Sequence, residues 1–143
     1  MSNFETVQAI TDNLQSVLKK EGIHFSRHSF ESEKNIPASL LPLGQIFYLG
    51  ESFENKFRER PSYIEAEYAI KVIFAERDPE DMIREQQKWA HKIRGALTAA
   101  AINTGPLEFS KYVSRVYIAR FDAENNRNLS SLACKALIRY RES

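Results

Sequence analysis

The residues from Tyr63 to Phe74 alternate between apolar and polar side chains. Glu65, Glu67 and Lys71 occupy one set of alternate positions. The other set is apolar throughout and consists of Ile64, Ala66, Tyr68, Ile70, Val72 and Phe74. This period of two predicts an antiparallel strand over 63–75, with one face on a core and the other available to water or to a partner.

Apolar residues that recur at spacings of three and four predict two amphipathic helices. The first runs from Asn3, which we expect to be its N-cap, to Lys20, and Gly22 follows as its C-terminal cap. The second starts at Asp78-Pro79, because aspartate caps a helix and proline fits its first position. Its predicted buried face comprises Met82, Ile83, Gln86, Trp89, Ala90, Ile93 and Leu97. This helix fades before residues 103–106, which end it.

Further strands are predicted over 45–50, 112–121 and 129–141. Residues 51–61 are charged and predict a long hairpin loop, whereas the asparagine-rich residues 122–128 predict a polar turn. Strict alternation over 112–121 would put Val116 and Ile118 on one face. It would put Val113, Tyr117, Ala119 and Phe121 on the other. Residues 23–43 predict an extended excursion, in which a short edge strand near His24–Ser26 is one interpretation.

The order of these elements is helix, strand, strand, helix, strand, strand. It predicts an α+β fold in a single domain over 1–143. Strands joined by hairpins are antiparallel neighbours, so we expect a four-stranded antiparallel sheet with both helices packed on one face. The other face would stay partly uncovered and suit assembly with further copies. It would present Glu65, Glu67, Ala69, Lys71, Lys135, Leu137 and Arg139.

Composition narrows the classes of function. The chain has 20 basic and 19 acidic residues and a net charge of +1, which disfavours unspecific coating of nucleic acid. Its single cysteine leaves no partner for an internal disulfide. The N-terminal residues lack a signal-peptide pattern, and the apolar stretches are too short to span a bilayer. We therefore expect a protein made in a reducing cytoplasm.

Candidate catalytic or metal-binding residues are few. His24 and His28 have the spacing of a helical ligand pair, but their surroundings do not predict a helix, so we expect no metal or cofactor. Cys134 lies among alternating apolar residues, which is typical of a buried structural cysteine. Glu65 and Glu67 would be about 7 Å apart along a strand, and a solvated strand face explains them better than an acid–base pair. The common nucleotide-binding and hydrolase motifs are absent from the sequence, so we expect no enzyme.

A longer pattern runs along most of the chain. The N-terminal amphipathic helix leads through Leu41-Pro42-Leu43 into a strand that ends in Tyr48-Leu49-Gly50. A long charged hairpin, the strand over 63–74, the helix that starts at Asp78 and a closing hairpin ending in Ala136-Leu137-Ile138-Arg139-Tyr140 follow. In this order the chain resembles bacteriophage tail-terminator (tail completion) proteins, which form a ring at the head-proximal end of a tail tube.

The resemblance implies a structural virion protein. About six copies would form a closed ring that ends tube polymerisation and offers a surface to the head. The implied partners are further copies, the tail-tube protein and the head–tail connector protein, with neither a membrane nor a specific nucleic-acid sequence. The implied location is the virion tail, after assembly in the cytoplasm of a bacterial host. The implied contact residues are Lys56, Phe57, Arg58 and Arg60 in the hairpin, and Glu65, Glu67, Lys71, Lys135 and Arg139 on the sheet.

Two other functions fit the same pattern. A minor tail subunit or a head–tail joining subunit could reuse this layout. A small α+β enzyme or ligand-binding domain could also do so, because a sheet with helices on one side supports many functions. A ligand-binding domain would require a concave pocket with converging polar groups.

Overall fold

A computed structural model describes residues 2–26, 36–53, 63–75, 78–126 and 129–141. The helices are α1 (Asn3–Lys20), α2 (Pro79–Ala96) and α3 (Ala99–Ile102). The strands are β1 (Leu43–Phe53), β2 (Tyr63–Ala75), β3 (Val113–Asn126) and β4 (Leu129–Arg141). All strands pair antiparallel in one sheet of order β1-β2-β4-β3. The predicted α+β fold and its order of elements are therefore confirmed, and the short α3 is an addition.

The ends of the helices follow local capping rules. The hydroxyl of Ser2 accepts a hydrogen bond from the backbone N–H of Glu5 at 3.2 Å, and the Glu5 carboxylate accepts one from the N–H of Ser2 at 3.1 Å. This reciprocal pair makes Ser2 the N-cap, so the prediction of Asn3 is wrong by one residue. Glu21 is the C-cap of α1 and Gly22 follows it with φ +95°, so that prediction is also wrong by one residue, whereas Asp78 caps α2 as predicted.

The core lies between the helices and one face of the sheet. Its buried side chains include Ile10, Leu14 and Leu18 from α1, Trp89 and Ile93 from α2, and the even-numbered residues of β2 and β4. Ile83 was predicted to belong to it, but this side chain is 56% exposed. One helical residue turns a side chain by about 100°, so burial of Met82 leaves its neighbour pointing outward.

Strand β3 departs from strict alternation at two points. Its register with β4 shifts between Val113 and Arg115 and again between Ile118 and Phe121. A bulge adds a residue and so resets which face the following side chains occupy. Val113, Val116, Ile118 and Phe121 consequently all oppose core-facing residues of β4, namely Tyr140, Ile138, Ala136 and Cys134. The prediction that Val113 and Phe121 lie opposite to Val116 and Ile118 is wrong for this reason.

Several strand boundaries also differ from the prediction. Residues 122–126, predicted as a turn, continue β3 and pair with β4, because their backbone groups complete the ladder despite their polar side chains. Residues 51–53 of the predicted loop extend β1. The possible edge strand near His24–Ser26 amounts to one parallel bridge between His24 and Leu43. The rest of the predicted turn and loop, 127–128 and 54–61, lies outside the described residues.

Asn103 joins the end of α3 to the first residue of β3. Its amide nitrogen donates to the carbonyl of Val113 at 2.7 Å, and its amide oxygen accepts from the N–H of Val113 at 2.9 Å. We expect Asn103→Ala to lower the free energy of unfolding by about 2 kcal/mol, because two partly buried backbone groups lose their partner. Urea denaturation would measure this loss.

Ser114→Ala is the matched control for that variant. It removes one exposed hydrogen bond, of 3.2 Å, to the carbonyl of Arg139. We expect a change of less than about 0.5 kcal/mol, as for most surface substitutions. Equal losses in the two variants would contradict the role assigned to Asn103.

Candidate assembly surface

The sheet face turned away from the helices, here called the open face, carries the odd-numbered residues of β2 and β4. Register places Glu65 opposite Arg139, and Ala69 opposite Lys135, while Lys71 is opposite Ala133. The predicted sheet residues Glu65, Glu67, Lys71, Lys135 and Arg139 are thereby brought to one face. Their contact with other subunits stays a prediction.

Lys135 and Arg139 on the open face both contact neighbouring side chains. The Lys135 ammonium lies 3.8 Å from a Glu67 carboxylate oxygen, and both side chains are substantially exposed. Such a surface pair contributes about 0–1 kcal/mol to stability. The Arg139 guanidinium lies over the ring of Tyr63, 4.2 Å from its centroid. Acidic and basic groups on the same face can therefore select the register of a partner more than they stabilise the fold.

Small and apolar side chains make the open face uneven. A hollow of about 390 Å³ is lined in part by Ala69, Ala133 and Ala119. A second hollow, of about 320 Å³, is lined by Leu137 and by Glu65, Arg115, Tyr117 and Arg139. Side chains of another polypeptide could enter both hollows.

One end of the open face is covered. Leu43 and Ile73 oppose each other on it, and their side chains are only 2% and 1% exposed. The accessible part therefore begins beyond this pair and runs toward Tyr63, whose side chain is partly exposed.

The edge strand β1 exposes a run of large apolar side chains. Phe47, Tyr48 and Leu49 are 52%, 53% and 48% exposed, and Phe53 is 54% exposed. Natural edge strands usually avoid such runs, since an exposed apolar edge invites pairing with another chain. The sequence pattern predicted a core strand over 45–50 and missed this exposure. The available signal was the absence of a polar residue from Ile46 to Leu49, so that neither face of the strand is polar.

The hairpin residues Lys56, Phe57, Arg58 and Arg60 lie outside the described residues. They stay sequence-based candidates for contact with the tail tube. The charge they contribute is known from the sequence alone.

The structure explains Cys134 as part of the core. Its side chain is 4% exposed, and burial raises the pKa of its thiol to about 12. The thiol is therefore protonated at neutral pH and lacks the thiolate that a nucleophile requires.

No cluster of three histidine, cysteine, aspartate or glutamate side chains that could hold a metal occurs in the described ranges. His28 falls outside them. In the same part of the chain, no helix has both the length and the apolar character needed to cross a membrane.

A groove on the other side of the sheet was not predicted. It has a volume of about 490 Å³ and lies between the first half of α1 and the outer half of β1. Its lining residues are Asn3, Phe4, Val7, Gln8, Thr11, Asp12, Tyr48, Glu51 and Tyr140. They come from three distant parts of the chain, so no local sequence motif predicts the groove.

Neither the comparison with protein-family models nor the comparison with curated proteins finds a match to this chain. The resemblance to tail-terminator proteins thus stays a prediction from the sequence pattern.

Proposed function

We propose that this protein is a structural subunit that assembles into a ring through its open face and the edge strand β1, as a phage tail terminator does. The observation that carries the proposal is the sheet face that the helices leave accessible. It combines apolar side chains such as Leu137 and Tyr117 with charges of both signs. A surface of this composition is typical of contacts between proteins.

A closed ring needs two different complementary patches on each subunit. The open face supplies one candidate patch. The exposed apolar edge from Phe47 to Phe53, with the charged hairpin that follows it in sequence, supplies the other. About six copies joined in this way would match the ring expected of a tail terminator. The ring would stop growth of the tail tube and present a surface to the head–tail connector protein.

The association of the purified chain tests the proposal. We expect sedimentation velocity to show a closed oligomer for the wild type and a monomer for Leu137→Lys, because a charged side chain would replace an apolar one in the contact and would lose its water there. Lysine at this position lies opposite Glu67, so the fold should be spared. Ile83→Lys is the control, since it changes an apolar residue that is 56% exposed on α2, on the helical side of the sheet.

Two results would speak against the ring. One is a wild-type chain that stays monomeric at every soluble concentration and also on purified tail tubes. The other is equal dissociation by Leu137→Lys and Ile83→Lys, which would point to the helical side as the contact.

Electron microscopy separates the terminator from other tail subunits. In a phage that encodes the chain, loss of its gene should give overlong tails. Filled heads without tails beside tails of normal length would instead indicate a head–tail joining subunit.

A further inference from the structure

The groove between α1 and β1, here called the aromatic groove, has apolar walls. Phe4, Val7 and Tyr48 contribute them, and Phe4 and Tyr48 are 68% and 53% exposed. The groove lies on the helical side of the sheet and is separate from the open face. Half-exposed aromatic rings beside a concave surface can pack against a ligand without a rearrangement of the core.

Glu51 is the polar centre of the aromatic groove. The hydroxyl of Tyr140 donates to its carboxylate at 2.9 Å. The hydroxyl of Tyr48 lies close to the same side chain, and burial together with this interaction raises the pKa of Tyr48 to about 12. Both hydroxyls thus stay protonated donors at neutral pH. The bond from Tyr140 and the contact with Tyr48 hold the Glu51 carboxylate in one orientation.

The ring of Tyr48 is held in place by a buried neighbour, Tyr68. Tyr68 is fully buried, its ring meets that of Tyr48 edge-on with centroids 5.6 Å apart, and its hydroxyl lies 2.8 Å from the Thr11 hydroxyl. One side of the Tyr48 ring therefore packs against Tyr68, while about half of the side chain is exposed to the groove and to solvent. The site is preorganised, which lowers the cost of ordering side chains when a ligand binds.

The charged side chains that line the aromatic groove are acidic. Glu51 and Asp12 line it, and no lysine or arginine does so among the residues that the structure describes. A cationic ligand would supply a counter-charge to these carboxylates. A guanidinium suits these walls because its planar fork pairs with a carboxylate, its face stacks on an aromatic ring, and it is more weakly hydrated than an ammonium.

We propose that the aromatic groove binds an arginine side chain presented by another polypeptide, with the guanidinium donating to Glu51 and lying against the ring of Tyr48. The groove is larger than one guanidinium requires, and it continues along α1. The side-chain amides of Asn3 and Gln8 line this extension and are of the type that bonds a peptide backbone. A segment of chain on either side of the arginine would therefore be held as well.

Titration of the isotopically labelled full chain, followed by nuclear magnetic resonance, tests this site. The probe is a blocked pentapeptide with one central arginine between alanines. We expect its dissociation constant to be on the order of 1 mM, since a fragment of this size gains little free energy. The same peptide with citrulline, which keeps the shape and loses the charge, should bind at least about tenfold more weakly, and the lysine peptide should also bind more weakly.

Variants locate the binding. Glu51→Gln should weaken the arginine peptide about tenfold or more, because the charged acceptor is lost. Phe4→Ala should weaken it several-fold, and as Phe4 is 68% exposed this variant tests the site even if Glu51→Gln does not fold. Phe109→Ala removes a phenylalanine that is 98% exposed and does not line the groove, so it should leave binding unchanged.

Five outcomes would overturn the proposal. Equal binding of the citrulline peptide would show that the positive charge does not contribute to binding. Unchanged binding to Phe4→Ala would show that the peptide does not bind in the groove. Tighter binding of the lysine peptide would exclude the guanidinium. Acetyl-arginine amide binding as tightly as the pentapeptide would indicate a small-molecule site. If the Glu51→Gln variant no longer forms the oligomer that the wild type forms, a second copy of the chain would be the occupant of the groove. An oligomer that persists in Leu137→Lys would contradict only the proposed ring.

Discussion

Trp89→Ala should lower the free energy of unfolding by about 3–5 kcal/mol, the range observed when a large aromatic side chain is removed from a core. Trp89 is 5% exposed and belongs to the cluster that joins α2 to the sheet. The ammonium groups of Lys88 and Lys92 also lie 5.3 and 4.8 Å from its ring centroid. The substitution therefore leaves a cavity and removes two cation–π contacts. Since many domains have only about 5–15 kcal/mol of stability, this variant would be close to unfolding.

Urea denaturation followed by circular dichroism measures this loss, because the chain has a single tryptophan and the variant has no indole fluorescence to follow. Ile83→Ala is the control on the same helix, and its 56% exposed side chain should cost less than about 0.5 kcal/mol. A loss below about 1 kcal/mol for Trp89→Ala would mean that α2 does not pack on the sheet as described.

Gly44→Ala and Gly95→Ala make the same chemical change and should have effects of opposite sign. A Cβ atom on Gly44 would lie 2.6 Å from Cγ2 of Ile23 and 2.7 Å from Cζ of Phe25. We expect this overpacking to lower the free energy of unfolding by about 1–3 kcal/mol. A Cβ atom on Gly95, within α2, meets no described heavy atom within 4 Å beyond its own helix backbone. We expect Gly95→Ala to raise the free energy of unfolding by about 0.5–1 kcal/mol, because alanine favours the helix.

Chemical denaturation of both glycine variants under the same conditions gives the comparison. A stabilising effect of Gly44→Ala would show that the segment carrying Ile23 and Phe25 does not rest on β1. Destabilisation by Gly95→Ala would contradict the exposed helical position of that residue.

The two proposed surfaces lie on opposite sides of one sheet. Leu137 marks the open face, and Tyr140, three residues later in β4, reaches the aromatic groove on the other side. In the proposed ring one neighbour would contact the open face and another the edge from Phe47 to Phe53, which borders the groove at Tyr48 and Glu51.

Strands β2 and β4 and the start of α2 could be predicted from the sequence. Apolar residues fill every even position from Ile64 to Phe74, with Glu65, Glu67 and Lys71 between them, so a period of two selects the face that lies on the core. Asp78-Pro79 is equally local, because the cap and the fixed φ angle act within one turn. The same alternation in β2 and in β4 predicted that Glu65 and Arg139 lie on the face away from the core, because each strand buries its apolar positions.

The tertiary structure alone decided the face of Val113 and Phe121, the exposure of Ile83 and the existence of the aromatic groove. A bulge in β3 depends on how its residues meet β4, so alternation along the chain cannot locate it. Glu51 meets Tyr140 across 89 residues of sequence, and a local pattern carries no information on such a contact. Near neighbours in the chain therefore determined the elements and their faces, whereas packing between distant segments determined which surfaces were left uncovered and what chemistry they present.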